Sequence, residues 1–98
     1  HYYDPISGSD KSNCIMTDVW VSMGEKGNNK KKYFKNFSVN RNIISKAAKN
    51  VIFMHCLPAK RGQEVTSDVL DGKNSVVLMQ AKNRMYIQQA ILIYVLKK

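Results

Sequence analysis

The stretch Val51-Ile52-Phe53-Met54-His55-Cys56-Leu57-Pro58 joins four apolar residues to two titratable side chains and a proline. A short apolar run with a helix before it and a polar turn after it suits a buried parallel strand. Pro58 and Gly62 keep the next segment irregular. Upstream, Asn40 suits a helix N-cap, and Ile43, Ile44, Ala47 and Ala48 give one apolar stripe that Asn50 can end. Further upstream, Cys14 to Val21 is rich in β-branched and aromatic residues and reads as a strand stopping at Ser22-Met23-Gly24. Between the two, Lys30 to Phe37 reads as helical, with Tyr33, Phe34 and Phe37 on one side. Downstream, Thr66 or Ser67 caps a brief helical turn ending at Asp71-Gly72. Ser75-Val76-Val77-Leu78-Met79 is a third buried-strand candidate, and Met85 to Lys98 reads as a helix closed by lysines.

Alternating strands and helices predict an α/β fold with a parallel sheet. Such sheets are covered on both faces. With 98 residues and few helices, the sheet calls for further residues or a partner. The last helix is apolar nearly all round and needs cover on more than one face.

Composition narrows the function classes. Hydrophobic residues make up 44% and charged residues 23%, which fits a globular chain rather than a disordered one. The longest apolar run, Ala90 to Leu96, falls far short of the roughly 20 residues of a membrane span, so no membrane role is expected. His1-Tyr2-Tyr3-Asp4-Pro5 does not resemble a signal peptide. The net charge of +9 raises nucleic acid as a partner. However, Lys26, Lys30, Lys31, Lys32 and Lys35 crowd one Gly- and Asn-containing segment, which reads as a solvated loop and helix start. No RNA- or DNA-binding motif accompanies them. Cys14 and Cys56 form no CxxC pair, and His1 and His55 add no zinc spacing, so no metal is expected. The cysteines read as free thiols of a reducing compartment, with a single bridge between them as the alternative.

Ligands of open α/β sheets sit past the carboxyl ends of the strands. Asp18 with Ser22-Met23-Gly24, His55-Cys56-Leu57-Pro58, and Asn83-Arg84 at the opening of the last helix would all fall at that edge. An Arg at a helix start opposes the macrodipole and needs an anionic partner.

These segments resemble the ornithine carbamoyltransferase family, within the aspartate/ornithine carbamoyltransferase superfamily. Thr17-Asp18-Val19-Trp20-Val21-Ser22-Met23-Gly24 is similar to its ornithine-binding segment. Phe53 to Ala59 with Arg61-Gly62 and Glu64-Val65-Thr66 is similar to its His-Cys-Leu-Pro loop. Ser75 to Ala81 with Asn83-Arg84 and Gln88 to Leu92 is similar to its closing segment. The resemblance implies an incomplete Rossmann-like ornithine-binding domain over residues 1–84. It implies a C-terminal helix over residues 85–98 that packs on an absent N-terminal carbamoyl-phosphate domain. It implies a cytoplasmic, trimeric transferase of arginine metabolism, acting on L-ornithine and carbamoyl phosphate without a cofactor. The 98 residues alone would then be inactive, holding about half of a site.

By the same resemblance, Asp18 takes the ornithine α-ammonium, and Ser22 with the Met23 backbone holds the α-carboxylate. Cys56 lies beside the δ-amine and carbamoyl group as a proton acceptor. Leu57 offers its carbonyl there, and Arg84 polarises the carbamoyl carbonyl. His55 matches the motif without a separate role. The sequence departs from the family at Lys82, where Glu is more usual, and near Met79 and Gln80, where acidic residues are common. The competing readings are a related amine-specific carbamoyltransferase and a catalytically inactive basic binding module.

Overall fold

The structure, a computed structural model, describes residues 1–22, 24 and 31–97. Helix α1 (Pro5–Ser9) opens at Asp4, whose side chain accepts the Ser7 N–H at 2.8 Å, with Pro at the first helical position. Strand β1 (Cys14–Thr17) follows, then the short helix α2 (Lys31–Phe34), which tightens into a 3₁₀ turn at Lys35–Phe37. Helix α3 (Arg41–Lys46) starts as its sequence predicts, with Asn40 Oδ1 accepting the Ile43 N–H at 3.2 Å. Strand β2 (Ile52–His55), helix α4 (Ser67–Leu70) and the 20-residue helix α5 (Val77–Leu96) complete the chain.

β1 and β2 pair in parallel, from Cys14 opposite Ile52 to Thr17 opposite His55. The fold is therefore α/β around a parallel two-stranded sheet. Its core collects Val39, Ile43, Phe53, Val65, Val69, Leu70 and Val77 around β2. Phe53 and Val65 are fully buried. The apolar run thus forms β2 with Val51 just before it, and Val51 and Phe53 are buried, a fully buried side chain of this kind contributing about 1.5–3 kcal/mol. Ile52 is exposed, so the strand is not buried on both faces as expected.

Several expectations are corrected. The run Ser75 to Met79 is not a strand: Ser75 makes one parallel bridge to Phe53, and the chain then turns into α5 at Val77. Leu78 and Met79 are 77% and 62% exposed, so this run is not buried either. A short apolar run fits a strand or a helix equally by periodicity, and here the helix takes it. Consequently α5 begins at Val77 rather than Met85, and Arg84 lies about two turns inside it rather than at its start. The helix macrodipole does not bear on Arg84 there, because that field fades within the first turn. The first strand ends at Thr17 rather than Val21. Asp18 Oδ1 accepts the next backbone N–H, from Val19, at 2.7 Å, which takes a ladder donor out of the sheet. Helix α3 likewise stops at Lys46, before Asn50, and the Ala48 N–H turns to Ser12 O at 3.0 Å.

The far half of α5 is bare. Ile87, Ile91, Leu92 and Ile93 are each more than half exposed, and Val77 is its one buried residue. Among the described residues no helix is long and apolar enough to cross a membrane.

Candidate active site

The carboxyl ends of β1 and β2 bring Asp18 and Cys56 together. They are the first residues past paired strand ends, since Thr17 lies opposite His55. The Cys56 thiol donates to Asp18 Oδ1 at 3.1 Å. That hydrogen bond, followed by the Val19 N–H, holds the Asp18 carboxyl below its ordinary range. The same bond pushes the Cys56 thiol up, with burial and the Asp18 charge adding to it; the more distant Arg84 cation pulls weakly the other way. The Asp18 carboxylate therefore favours the protonated form of the sulfur. Both cysteines are free, so the alternative of a bridge to Cys14 falls.

The loop after β2 is held from within. Leu57 lies in the left-handed region at φ 55°, and its N–H donates to His55 Nδ1 at 2.8 Å. An imidazole nitrogen that accepts an N–H carries no proton itself, so the ring proton sits on Nε2. Nε2 donates to Glu64 Oε1 at 3.3 Å, with both side chains fully buried. The Lys60 N–H donates to the same oxygen. Glu64 thus fastens both ends of the loop that presents Cys56 and Leu57. Sequence reasoning gave Glu64 no role. The available signal was that a buried imidazole needs a partner and Glu64 is the one acid between Cys56 and Asp68.

Arg84 reaches the site from α5. An open cleft is lined by Cys56, Gln80, Ala81, Asn83, Arg84, Ile87 and Gln88. A second cleft is lined by Asp18, Trp20, Tyr33, Phe34 and Phe37 among others. Trp20 and Phe34 stack there with ring centroids 6.3 Å apart. Asp18 thus lines an aromatic hollow and accepts a hydrogen bond from the thiol that shares a cleft with the Arg84 guanidinium. Ser22 is exposed beyond it, and Met23 lies outside the described residues. Among the described residues no group of three or more His, Cys, Asp or Glu side chains is arranged to hold a metal ion. A guanidinium lining the cleft can stabilise an oxyanion, and the Asp18 carboxylate can pair with an ammonium.

The ornithine carbamoyltransferase of Ruthia magnifica subsp. Calyptogena magnifica is 44% identical over 97 residues, covering 97% of this chain and 32% of that protein. The crystal structure of the anabolic ornithine carbamoyltransferase of Campylobacter jejuni superposes with a TM-score of 0.90 at 36% identity, over 99% of this chain and 32% of its own. The ornithine carbamoyltransferase of Pyrococcus furiosus gives 0.84 at 46% identity, over 92% and 29%. The chain spans about a third of the length of these relatives. The family model for the aspartate/ornithine carbamoyltransferase Asp/Orn binding domain matches residues 1–95. The strand ends that carry Asp18 and Cys56, and the helix that carries Arg84, lie within that match, and the chain belongs to the aspartate/ornithine carbamoyltransferase family.

Proposed function

We propose that this chain is the ornithine-binding part of an ornithine carbamoyltransferase, which makes L-citrulline and phosphate from L-ornithine and carbamoyl phosphate. The observation that carries this reading is the Asp18–Cys56 hydrogen bond at 3.1 Å in a site that Arg84 faces from α5. The neutral δ-amine nitrogen attacks the carbamoyl carbon and forms the new C–N bond. Arg84 stabilises the oxyanion of the tetrahedral intermediate. The C–O bond to phosphate then breaks, phosphate leaves with the electron pair, and the nitrogen gives up a proton.

Cys56 and Asp18 act in sequence. Before ornithine binds, Asp18 holds the thiol proton in place. The α-ammonium of ornithine competes for the same carboxylate, and pairing with it weakens the hold on Cys56. With that hold relaxed, the Cys56 thiol loses its proton to water, and the thiolate then takes the proton that the δ-amine sheds. Leu57 offers its carbonyl beside the carbamoyl group, and Ser22 with the Met23 backbone takes the α-carboxylate. The bare face of α5 is the surface on which a carbamoyl-phosphate domain packs, so residues 1–84 and 85–98 serve different neighbours. The complete enzyme is a cytoplasmic homotrimer of arginine metabolism.

The test is citrulline formation by the complete enzyme that carries these residues, run against a panel of amine acceptors. Ornithine preferred over N-acylated ornithine and aspartate is the expected result. Preference for another acceptor would replace ornithine in this reading. No carbamoyl transfer at all, with salt-dependent RNA binding instead, would replace it with a basic binding module.

A further inference from the structure

We infer that Gln80 is a positioning residue that sets the spacing between Cys56 and Arg84; the inference rests on the carbamoyl-transfer reading above. The sheet lacks a third strand where residues 75–79 could have supplied one. Along the outer edge of β2, the Phe53 N–H donates to Asn74 O at 2.8 Å and the Val76 N–H donates to Phe53 O at 2.9 Å. A parallel ladder continued by one step would bring the His55 N–H to Val76 O. That carbonyl is already occupied, because the Gln80 N–H donates to it at 2.8 Å in the first turn of α5. The His55 N–H belongs to a fully buried residue and needs an acceptor. Gln80 supplies it: the His55 N–H donates to Gln80 Oε1 at 3.0 Å. One residue thus takes the ladder's carbonyl with its backbone and returns an acceptor with its side chain.

Among the described residues this is the one side-chain hydrogen bond that ties α5 to β2. It lies one residue before Cys56 and one helical turn before Arg84, on the same face of α5. Gln80 also lines the cleft between them. The acceptor is neutral, so Arg84 has no carboxylate one turn away. That neutrality matters less than the bond itself. An i, i+4 ion pair on an exposed helix shifts an equilibrium by roughly twofold, whereas leaving a buried N–H without its acceptor is worth about tenfold or more.

The test uses Gln80→Leu and Gln80→Glu in the complete enzyme. Leu removes the acceptor; Glu keeps a carboxylate oxygen at the same reach. Gln80→Leu should lower kcat about tenfold, with the KM for ornithine held within about twofold, because Asp18 is carried by the neighbouring strand β1, which Gln80 does not touch. Gln80→Glu should restore most of the lost turnover. A parent-like kcat in Gln80→Leu, or equal damage from both variants, overturns the inference. If Gln80→Leu does not assemble, Gln80→Asn, one methylene too short, takes its place with the same two outcomes. A second readout is independent of the reaction: the alkylation rate of Cys56 by iodoacetamide at neutral pH, followed by peptide mapping. A loosened loop releases the thiol from Asp18, so Gln80→Leu should alkylate about fivefold faster. An unchanged rate overturns the positioning role. If the parent enzyme makes no citrulline, the functional reading falls, and the alkylation rate alone decides for or against Gln80.

Discussion

Replacing Asp18 by Asn tests whether one carboxylate governs both the thiol and the acceptor substrate. Asn keeps an oxygen and the side-chain length but removes the charge. Two effects follow from the 3.1 Å contact between Cys56 Sγ and Asp18 Oδ1. The carboxylate holds the Cys56 thiol above its ordinary range, mainly through that hydrogen bond. In Asp18→Asn the thiol therefore moves back down, and more thiolate is present at any given pH. Alkylation of Cys56 should become faster, and its pH profile should shift toward lower pH. The second effect concerns ornithine. A hydrogen bond to a charged group is worth about 1.5–3 kcal/mol. Asp18 is exposed in this chain, so water screens it and the lower end applies. That end, ~1.5 kcal/mol, is about a tenfold loss in kcat/KM for ornithine, with carbamoyl phosphate binding little changed. The assay is steady-state citrulline formation with each substrate varied, alongside iodoacetamide labelling of Cys56. Slower labelling in the variant would show that Asp18 does not restrain the thiol. Equal losses for both substrates would show that Asp18 holds the loop rather than the α-ammonium.

Arg84→Leu in the complete enzyme should lower kcat by roughly 100- to 1,000-fold, the scale of losing one oxyanion donor; a normal kcat would make Arg84 a structural residue. Glu64→Ala should cost about 2–4 kcal/mol of stability by orphaning the buried His55 Nε2–H and leaving a cavity. Denaturant melts read this directly, and a change under ~1 kcal/mol would mean the loop is held by other contacts. The raised Cys56 thiol also carries a pH signature. Folding favours its protonated form, so its contribution to stability is full below the ordinary thiol range and is lost as pH rises through the raised value. Denaturation at several alkaline pH values should show this loss, and Cys56→Ser should abolish it; an identical slope in the variant would refute the coupling. Ile91→Asp on bare α5 should destabilise the complete enzyme by more than ~2 kcal/mol through burial of an unpaired charge. An unchanged melting temperature would show that no domain covers that face.

The parts of this fold legible in the sequence are those where one local signal has one physical outcome. Asn40 can only cap a helix usefully if a helix follows, and it does. Val51 to Met54, apolar and β-rich, called for a strand, and its Val51 and Phe53 are buried, Phe53 within the core, while Ile52 is exposed. The misread parts are those where a signal has two outcomes and a distant group chooses. Ser75 to Met79 could extend the sheet or start a helix. Its side chains did not decide that. The Val76 carbonyl was bound by the Gln80 N–H instead of the His55 N–H, and Gln80 Oε1 made the exchange nearly neutral by taking the orphaned donor. The role of Glu64 was hidden for a related reason, since its partner is an imidazole nine residues earlier whose free nitrogen is fixed only by the Leu57 backbone. The candidate site is the place where these long-range choices accumulate. A ladder that simply continued would have kept residues 75–79 in the sheet and left Arg84 without the helix that brings it to Cys56. The truncated strand is therefore what gives the cleft its cation, and the hydrogen bond that compensates the truncation is also what fixes how far that cation stands from the thiol.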